Sequence, residues 1–430
     1  MDTLDKKALK LLQENTQTAE YKGKIYKFTV PSKDTYPFQW LWDSCFHAIS
    51  FSALGQHERA KEELRSLLAK QAEDGAIYHI TFWNKEKLKD YLFSSSQGFG
   101  RFLENRGFWL PFGFFNPPET SAYTQPPVLA LAVEYIYSKS ADTDFIKETL
   151  PALFKYYRWL YKTRDLDGDG LVSIITQFES GLDFNPVYDE SIGYSYKRRF
   201  PGLSFKSRIP QIFNKLIFNF DTEKIYKNGK FHQKDVLFNS IMIQSLFSLE
   251  RLAKEVGNNE ISNWAGKNAN KSLRTLCEKS YDKQTGLFYN LSGKEDRVVK
   301  VKTIVSLMPL IIPQLPQNIA RRLIEEHLIN QKEFYTPHPV ASVSVDERSF
   351  TPDSFVNGHL RIWRGPISMN TNWFLVHALR RHGYDNTADD IAKKSRELAQ
   401  KHGFWEFYNP LTGEPQGAQH FGWATLVVDM

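Results

Sequence analysis

Helical segments of two kinds alternate along this chain, and that alternation limits the fold more than any other feature. Asp43 reads as the N-cap of a helix running to about Leu54, since an Asp ahead of an apolar stretch satisfies the first free N–H groups. Phe46, Ala48, Ile49, Phe51 and Ala53 leave that helix no polar face, the mark of a helix buried on most sides. The next segment, about His57 to Gln71, sets Ala60, Leu64, Leu67 and Leu68 against Arg59, Lys61, Glu62, Glu63 and Arg65, as an outer helix facing solvent does. Pro126-Pro127 opens a second pair: Val128, Leu129, Leu131, Val133 and Ile136, then Phe145, Leu150, Leu153, Phe154, Tyr157 and Leu160. Pro151 either takes a helix N1 position or splits that stretch. Residues 234–255 with 259–279, 303–311 with 317–329, and 366–382 with 386–401 continue the series. A helix near 420–429 with the amphipathic N-terminal segment (Leu4, Leu9, Leu11, Leu12) closes it.

With few convincing strands, the predicted fold is all-α: an (α/α)6 barrel of six inner and six outer helices, in a single domain over residues 1–430. A helical solenoid is the alternative, but no self-similarity is visible at a period of about 30–45 residues. Long connections at about 73–125, 164–232 and 333–365 exceed ordinary loops and are where function is expected. Those at 73–125 and 184–232 read as capping-loop or lid insertions, with 190–232 a lid or small hairpin.

Composition narrows the function classes. Hydrophobic residues make up 41% of the 430, enough for a substantial core. The net charge of +6 is dispersed, with no basic tail or stripe, so nucleic acid is not an expected partner. Cys45 and Cys277 give no disulfide framework and suit a reducing compartment. No apolar leader follows Met1-Asp2-Thr3, and no apolar run reaches the roughly 18 residues of a membrane span. The expectation is a cytoplasmic protein with no membrane partner, its oligomeric state left open, a homo-oligomer included.

The candidate chemistry lies in two aromatic loops. Phe178-Glu179-Ser180-Gly181-Leu182-Asp183, followed by Phe184-Asn185-Pro186, concentrates two carboxylates among aromatics, glycine and proline. Gly403-Phe404-Trp405-Glu406-Phe407-Tyr408-Asn409-Pro410 repeats the theme ahead of the last helix. Two carboxylates on one rim suit glycoside hydrolysis. One carboxyl, kept protonated by an apolar setting, protonates the leaving oxygen; the other, ionised, acts as nucleophile or activates water. Asp183 reads as the acid and Glu406 as its partner. A lone loop carboxylate is more often a cap or a surface charge, and the shared surroundings are what single out this pair. With 14% aromatic residues, rings are available to stack on the CH face of a sugar, while Asp43, Gln125 and His79 can bond its hydroxyls.

Five strings carry a resemblance: Gln39-Trp40-Leu41-Trp42-Asp43-Ser44-Cys45-Phe46-His47; Glu179-Ser180-Gly181-Leu182-Asp183; Ser342-Val343-Ser344-Val345-Asp346-Glu347; Trp363-Arg364-Gly365-Pro366 with Asn370-Thr371-Asn372-Trp373; and Glu406-Phe407-Tyr408-Asn409-Pro410 with Thr412-Gly413. In this order the chain resembles glycoside hydrolase family 63, most of all its compact bacterial members acting on glucosylglycerate or mannosylglycerate. The resemblance implies an (α/α)6 barrel and inverting hydrolysis of a small α-glucoside or α-mannoside, glucosylglycerate- or mannosylglycerate-like or a gluco-disaccharide, with no redox or nucleotide cofactor and no metal. By position it makes Asp183 the general acid and Glu406 the general base. It places Tyr36, Trp40, Trp42 and Asp43 around the nonreducing sugar, with Gln125, Gly181 and Trp363 as further contacts. His79, Trp83, Arg364 and Gln419 complete the expected substrate-binding set. The family usually has Trp where this chain has Phe178, and aromatics where it has Ile362 and Ser368, differences that bear on the substrate more than on the chemistry.

Other signals are weaker. Asp165-Leu166-Asp167-Gly168-Asp169-Gly170 imitates the start of a calcium loop, but Thr176 stands where the bidentate Glu belongs, so a tight turn is expected. Gly98-Phe99-Gly100 lacks the third glycine of a dinucleotide loop. Lys197-Arg198-Arg199 reads as a solvated face, or as a receiver for a substrate carboxylate if it lies in a lid beside Asp183. Two alternatives stand beside hydrolysis: a sugar epimerase or isomerase using a pair among His47, His79, His338 and His359, and a catalytically silent carbohydrate-binding protein.

Overall fold

The computed structural model describes residues 2–84, 119–195, 202–229 and 231–430. Most of the predicted 73–125 insertion, the Gly98-Phe99-Gly100 string and Lys197-Arg198-Arg199 lie outside the described residues. The fold is all-α and helix-rich. Its inner elements are α2 (Leu41–Ala53), α4 (Leu129–Ser140), α8 (Val236–Glu255), a 3₁₀ segment (Ile304–Ile311), α11 (Met369–Arg381) and a closing 3₁₀ segment (Gly422–Asp429). Each packs on the next in this order, and the closing segment packs on α2. Each has an outer companion: α3 (His57–Ala69), α5 (Thr143–Arg164), α9 (Asn259–Lys279), α10 (Gln317–Arg322, continued by a π-helical turn), α12 (Asp385–His402) and α1 (Thr3–Glu14).

Burial follows the polarity pattern in part: of the α3 residues expected to face solvent, Lys61 and Glu63 are buried, Lys61 paired with Asp142 and Glu63 bonded to Thr29 and Ser44. In α2 every residue from Leu41 to Ser52 is buried, whereas in α3 Ala60, Leu64 and Leu67 face inward and Glu58 and Glu62 outward. Approach is tight where the closing segment meets α2, since a Cβ on Gly422 would stand 2.1 Å from His47 Nε2. Pro151 does not split its helix: α5 runs unbroken from Thr143 to Arg164 with Pro151 on its exposed side, where a missing N–H costs least. No helix among the described residues is long and apolar enough to cross a membrane.

Two expectations need correction, and one element was not expected. Asp43 is not the N-cap of α2; Trp40 is, and Asp43 falls in the first turn. The cap is supplied from elsewhere in the chain, because Gln125 Oε1 accepts from Trp42 N (3.1 Å), so the Asp43 carboxylate is not needed there. The 190–232 stretch is not a hairpin: its described residues form α6 (Leu203–Phe218) and α7 (Thr222–Asn228). Finally, a hairpin went unforeseen at β1 (Thr16–Tyr21) and β2 (Lys24–Thr29). Its two-residue turn places Lys22 and Gly23 at positive φ (51° and 74°), the geometry that matches strand twist.

Candidate active site

The Asp183 loop is held from within. Gly181, at φ 72°, carries the chain out of the 3₁₀ turn Gln177–Ser180, and a Cβ there would lie 2.5 Å from the Trp42 indole. Only glycine meets both demands. Glu179 is fully buried and accepts from Arg164 Nη2 (2.6 Å), Ile175 N (2.8 Å) and Thr124 N (3.1 Å). It therefore fastens this loop to the residue preceding Gln125. Phe178 is core, packed edge to face on Phe184.

Glu406 comes from β3 (Trp405–Tyr408), paired with β4 (Pro415–Gln419), and the register shifts between Trp405 and Phe407. An irregularity of this kind re-aims a side chain. Glu406 Oε1 accepts from Tyr36 Oη (3.2 Å) and Oε2 from Ala418 N (3.0 Å). Both donors favour the ionised carboxylate. Ser368 adds support from below, donating its hydroxyl to the Glu406 carbonyl oxygen (3.0 Å).

These loops and the start of α2 enclose one cavity. Among its lining residues are Tyr36, Trp40, Trp42, Asp43, His79, Gln125, Gly181, Asp183, Trp363 and Glu406. Trp40 meets His79 edge to face at 4.6 Å between centroids, and Tyr36 crosses Trp40 at 5.6 Å. Trp40 Nε1, Asp43 Oδ1 and His79 Nδ1 are buried with no hydrogen-bond partner among the described residues. Buried polar atoms are normally satisfied, so a wall of such atoms suits a ligand rich in hydroxyls.

The carboxyls of the site differ in setting. Burial, then the charge of Glu406, pushes Asp183 up to about 8, against an opposing pull from Arg208 of α6. A group so placed holds its proton at neutral pH. Asp43 is raised well above the usual carboxylate range by burial and then by Glu406. Burial drives His79 down to about 3, leaving a neutral imidazole.

The other expected residues lie elsewhere. Trp83 stacks on Phe28 (5.3 Å) and donates to Gln39 Oε1 (2.7 Å), outside this cavity. Arg364 is fully buried and pairs through both terminal nitrogens with Asp189, Nη1 to Oδ2 at 3.0 Å. Gln419 is exposed, its carbonyl accepting from Ser32 Oγ (3.1 Å). Of the four histidines considered for a catalytic pair, only His79 lines the cavity. The Asp165–Gly170 stretch is a turn whose Asp167 and Asp169 bond Lys234 Nζ (2.5 and 2.6 Å), with Asp296 as a third partner.

Comparison with known proteins decides the family. A model described as the mannosylglycerate hydrolase MGH1-like glycoside hydrolase domain matches residues 36–424. The chain belongs to this family. It is a glycoside hydrolase of family 63.

Among this hydrolase's relatives is a mannosylglycerate hydrolase of Thermus thermophilus, 31% identical over 98% of each chain. A glucosylglycerate hydrolase of Mycolicibacterium hassiacum is 24% identical over 91% of each. The crystal structure of a family 63 mannosylglycerate hydrolase from Thermus thermophilus in complex with glucose superposes with a TM-score of 0.79, at 28% identity over 98% of each chain. The three departures from the family pattern separate spatially: Phe178 lies in the core, Ser368 supports the Glu406 backbone, and only Ile362 lines the cavity of this hydrolase. Pro31, Phe421 and Trp423 also line it and were not expected. Phe421 and Trp423 meet at 4.5 Å, and Trp423 reaches Trp42 at 5.5 Å. Their signal was the aromatic pair in Phe421-Gly422-Trp423, within a segment assigned only to helix closure.

Proposed function

We propose that this hydrolase is an inverting α-glycosidase acting on a small α-mannoside or α-glucoside of a hydroxy acid, in which Asp183 is the general acid and Glu406 the general base. The observation that carries this is the unequal setting of two carboxyls on one aromatic cavity. Asp183, raised to about 8, holds a proton to give to the glycosidic oxygen, while Glu406, with two donors on its oxygens, is set to take one from water. The chemistry requires only an acetal whose leaving oxygen lies at Asp183. Mannosylglycerate and glucosylglycerate, named for the relatives, are the substrates to test first, and Arg208, whose field reaches Asp183, suits an acidic leaving group. The closed order of contacts among the inner elements supports reading the scaffold as one (α/α)6 barrel.

The test is hydrolysis of both glycosides by the wild type, Asp183→Asn and Glu406→Gln, with proton NMR of the first-formed anomer. Each variant is expected to lose about 10²–10⁴-fold in kcat, and an α-linked substrate should release the β anomer first. Full activity in either variant, or an initial α anomer, overturns the assignment.

A further inference from the structure

A second cavity, which shares no lining residue with the first, lies among α4, α8, the Ile304–Ile311 segment and α11. Its aromatic wall is pre-set. Tyr135 of α4 and Trp373 and His377 of α11 all converge on Asp429: the Tyr135 hydroxyl bonds Oδ1, while Trp373 Nε1 (2.9 Å) and His377 Nε2 (3.1 Å) reach Oδ2. One carboxylate thus fixes three rings from two helices, which removes the rotamer entropy a ligand would otherwise have to freeze. Phe374, Leu131 and Ile311 extend the apolar surface.

Gln244, Arg251 and Arg381, all on this cavity, are satisfied differently. Gln244 is 5% exposed, lines the cavity, and its Oε1 has no hydrogen-bond partner among the described residues. Arg251, two turns further along α8, is neutralised by a two-point pairing with Glu134. Arg381, an exposed residue at the cavity, has no such pairing among the described residues; it donates to the Ile311 carbonyl oxygen (2.6 Å), and partial desolvation and then the nearby charge of Arg251 work against its own charge, with Glu134 opposing them. An anion there would relieve that repulsion. Its carbon body would lie on the Trp373 and Phe374 rings.

We infer that this cavity is a second ligand site, distinct from the glycosidase centre, for a small organic carboxylate with an apolar body, its anion on Arg381 and a hydroxyl or amide donor on Gln244 Oε1.

Calorimetric titration of the full chain with benzoate, 4-hydroxybenzoate, benzamide and acetate tests it. Benzoate is expected to bind in the millimolar range that so few heavy atoms reach, with 4-hydroxybenzoate tighter through Gln244. Benzamide, which lacks the charge, and acetate, which lacks the body, should each bind at least about tenfold more weakly than benzoate. Arg381→Gln should weaken benzoate by about tenfold and leave glycoside hydrolysis unchanged, whereas Glu406→Gln should leave benzoate binding unchanged. Circular dichroism verifies that Arg381→Gln is folded. Absence of benzoate binding, equal affinity in Arg381→Gln, or loss of binding in Glu406→Gln, which would move the ligand to the glycosidase cavity, each overturns the inference.

Discussion

Asp183 and Gly181 sit two residues apart and depend on the same loop for different reasons. Asp183 is raised by burial first and by Glu406 second, so removing the Glu406 charge should let Asp183 ionise more easily. In Glu406→Gln, a carbon-13 titration of the Asp183 carboxyl is expected to give a midpoint below about 8, and an unchanged midpoint would show that the two do not interact. Gly181 fails on two counts if substituted, at φ 72° and with Trp42 only 2.5 Å from a new Cβ. Gly181→Ala should cost at least about 2 kcal/mol in urea unfolding and roughly 10²-fold in kcat/KM, because displaced reacting groups lose alignment. Local sequence exposed both residues, since a glycine two positions before an acid in an aromatic loop is visible without a structure. It did not distinguish Trp363 from Arg364. Trp363 has φ 56°, and that backbone turn sends adjacent side chains to different places, one to the cavity and the other to Asp189.

Between elements, the strut formed by Asp189 and Arg364 does what neither loop achieves alone. It joins the segment carrying Trp363 to the loop that follows Asp183, and Asn185 Nδ2 reinforces it by donating to the Trp363 carbonyl oxygen (3.1 Å). Removing one partner of a buried pair strands the other charge, at a typical cost of about 3–5 kcal/mol. Arg364→Met should therefore destabilise by that amount, measured by denaturant unfolding. Arg364→Lys keeps the charge and loses the two-point geometry, so it should recover much of the stability while kcat stays low and KM changes little. A kcat equal to wild type in a folded Arg364→Lys would remove the strut from any part in positioning. Element boundaries show the same dependence on partners: α2 starts before Asp43 because Gln125 caps it from another part of the chain, which no propensity within residues 40–46 encodes.

At the scale of the whole molecule, Asp183 makes the fold sensitive to pH. Its folded value, about 8, lies above the unfolded value near 3.8, so folding takes up a proton between them. The stability contributed by wild-type Asp183 must then fall as pH rises through that window and level off above it. Asp183→Asn has no such proton, so its advantage in Tm should be small near pH 4, grow up to about pH 8 and stay constant beyond, as scanning calorimetry would show. A difference independent of pH would mean that the carboxyl is not buried as described. The sequence by itself determined the alternation of fully apolar and one-faced helices and the two carboxylates in aromatic loops, because both are written in local periodicity and composition. Tertiary structure alone decided which aromatics share the cavity. Trp42 and Trp423 are separated by nearly the whole chain, and they meet because the closing segment packs back on α2. It also decided that the Asp183 carboxyl is raised to about 8, since that follows from burial and from a charge more than 200 residues away in sequence, neither of which a local pattern carries.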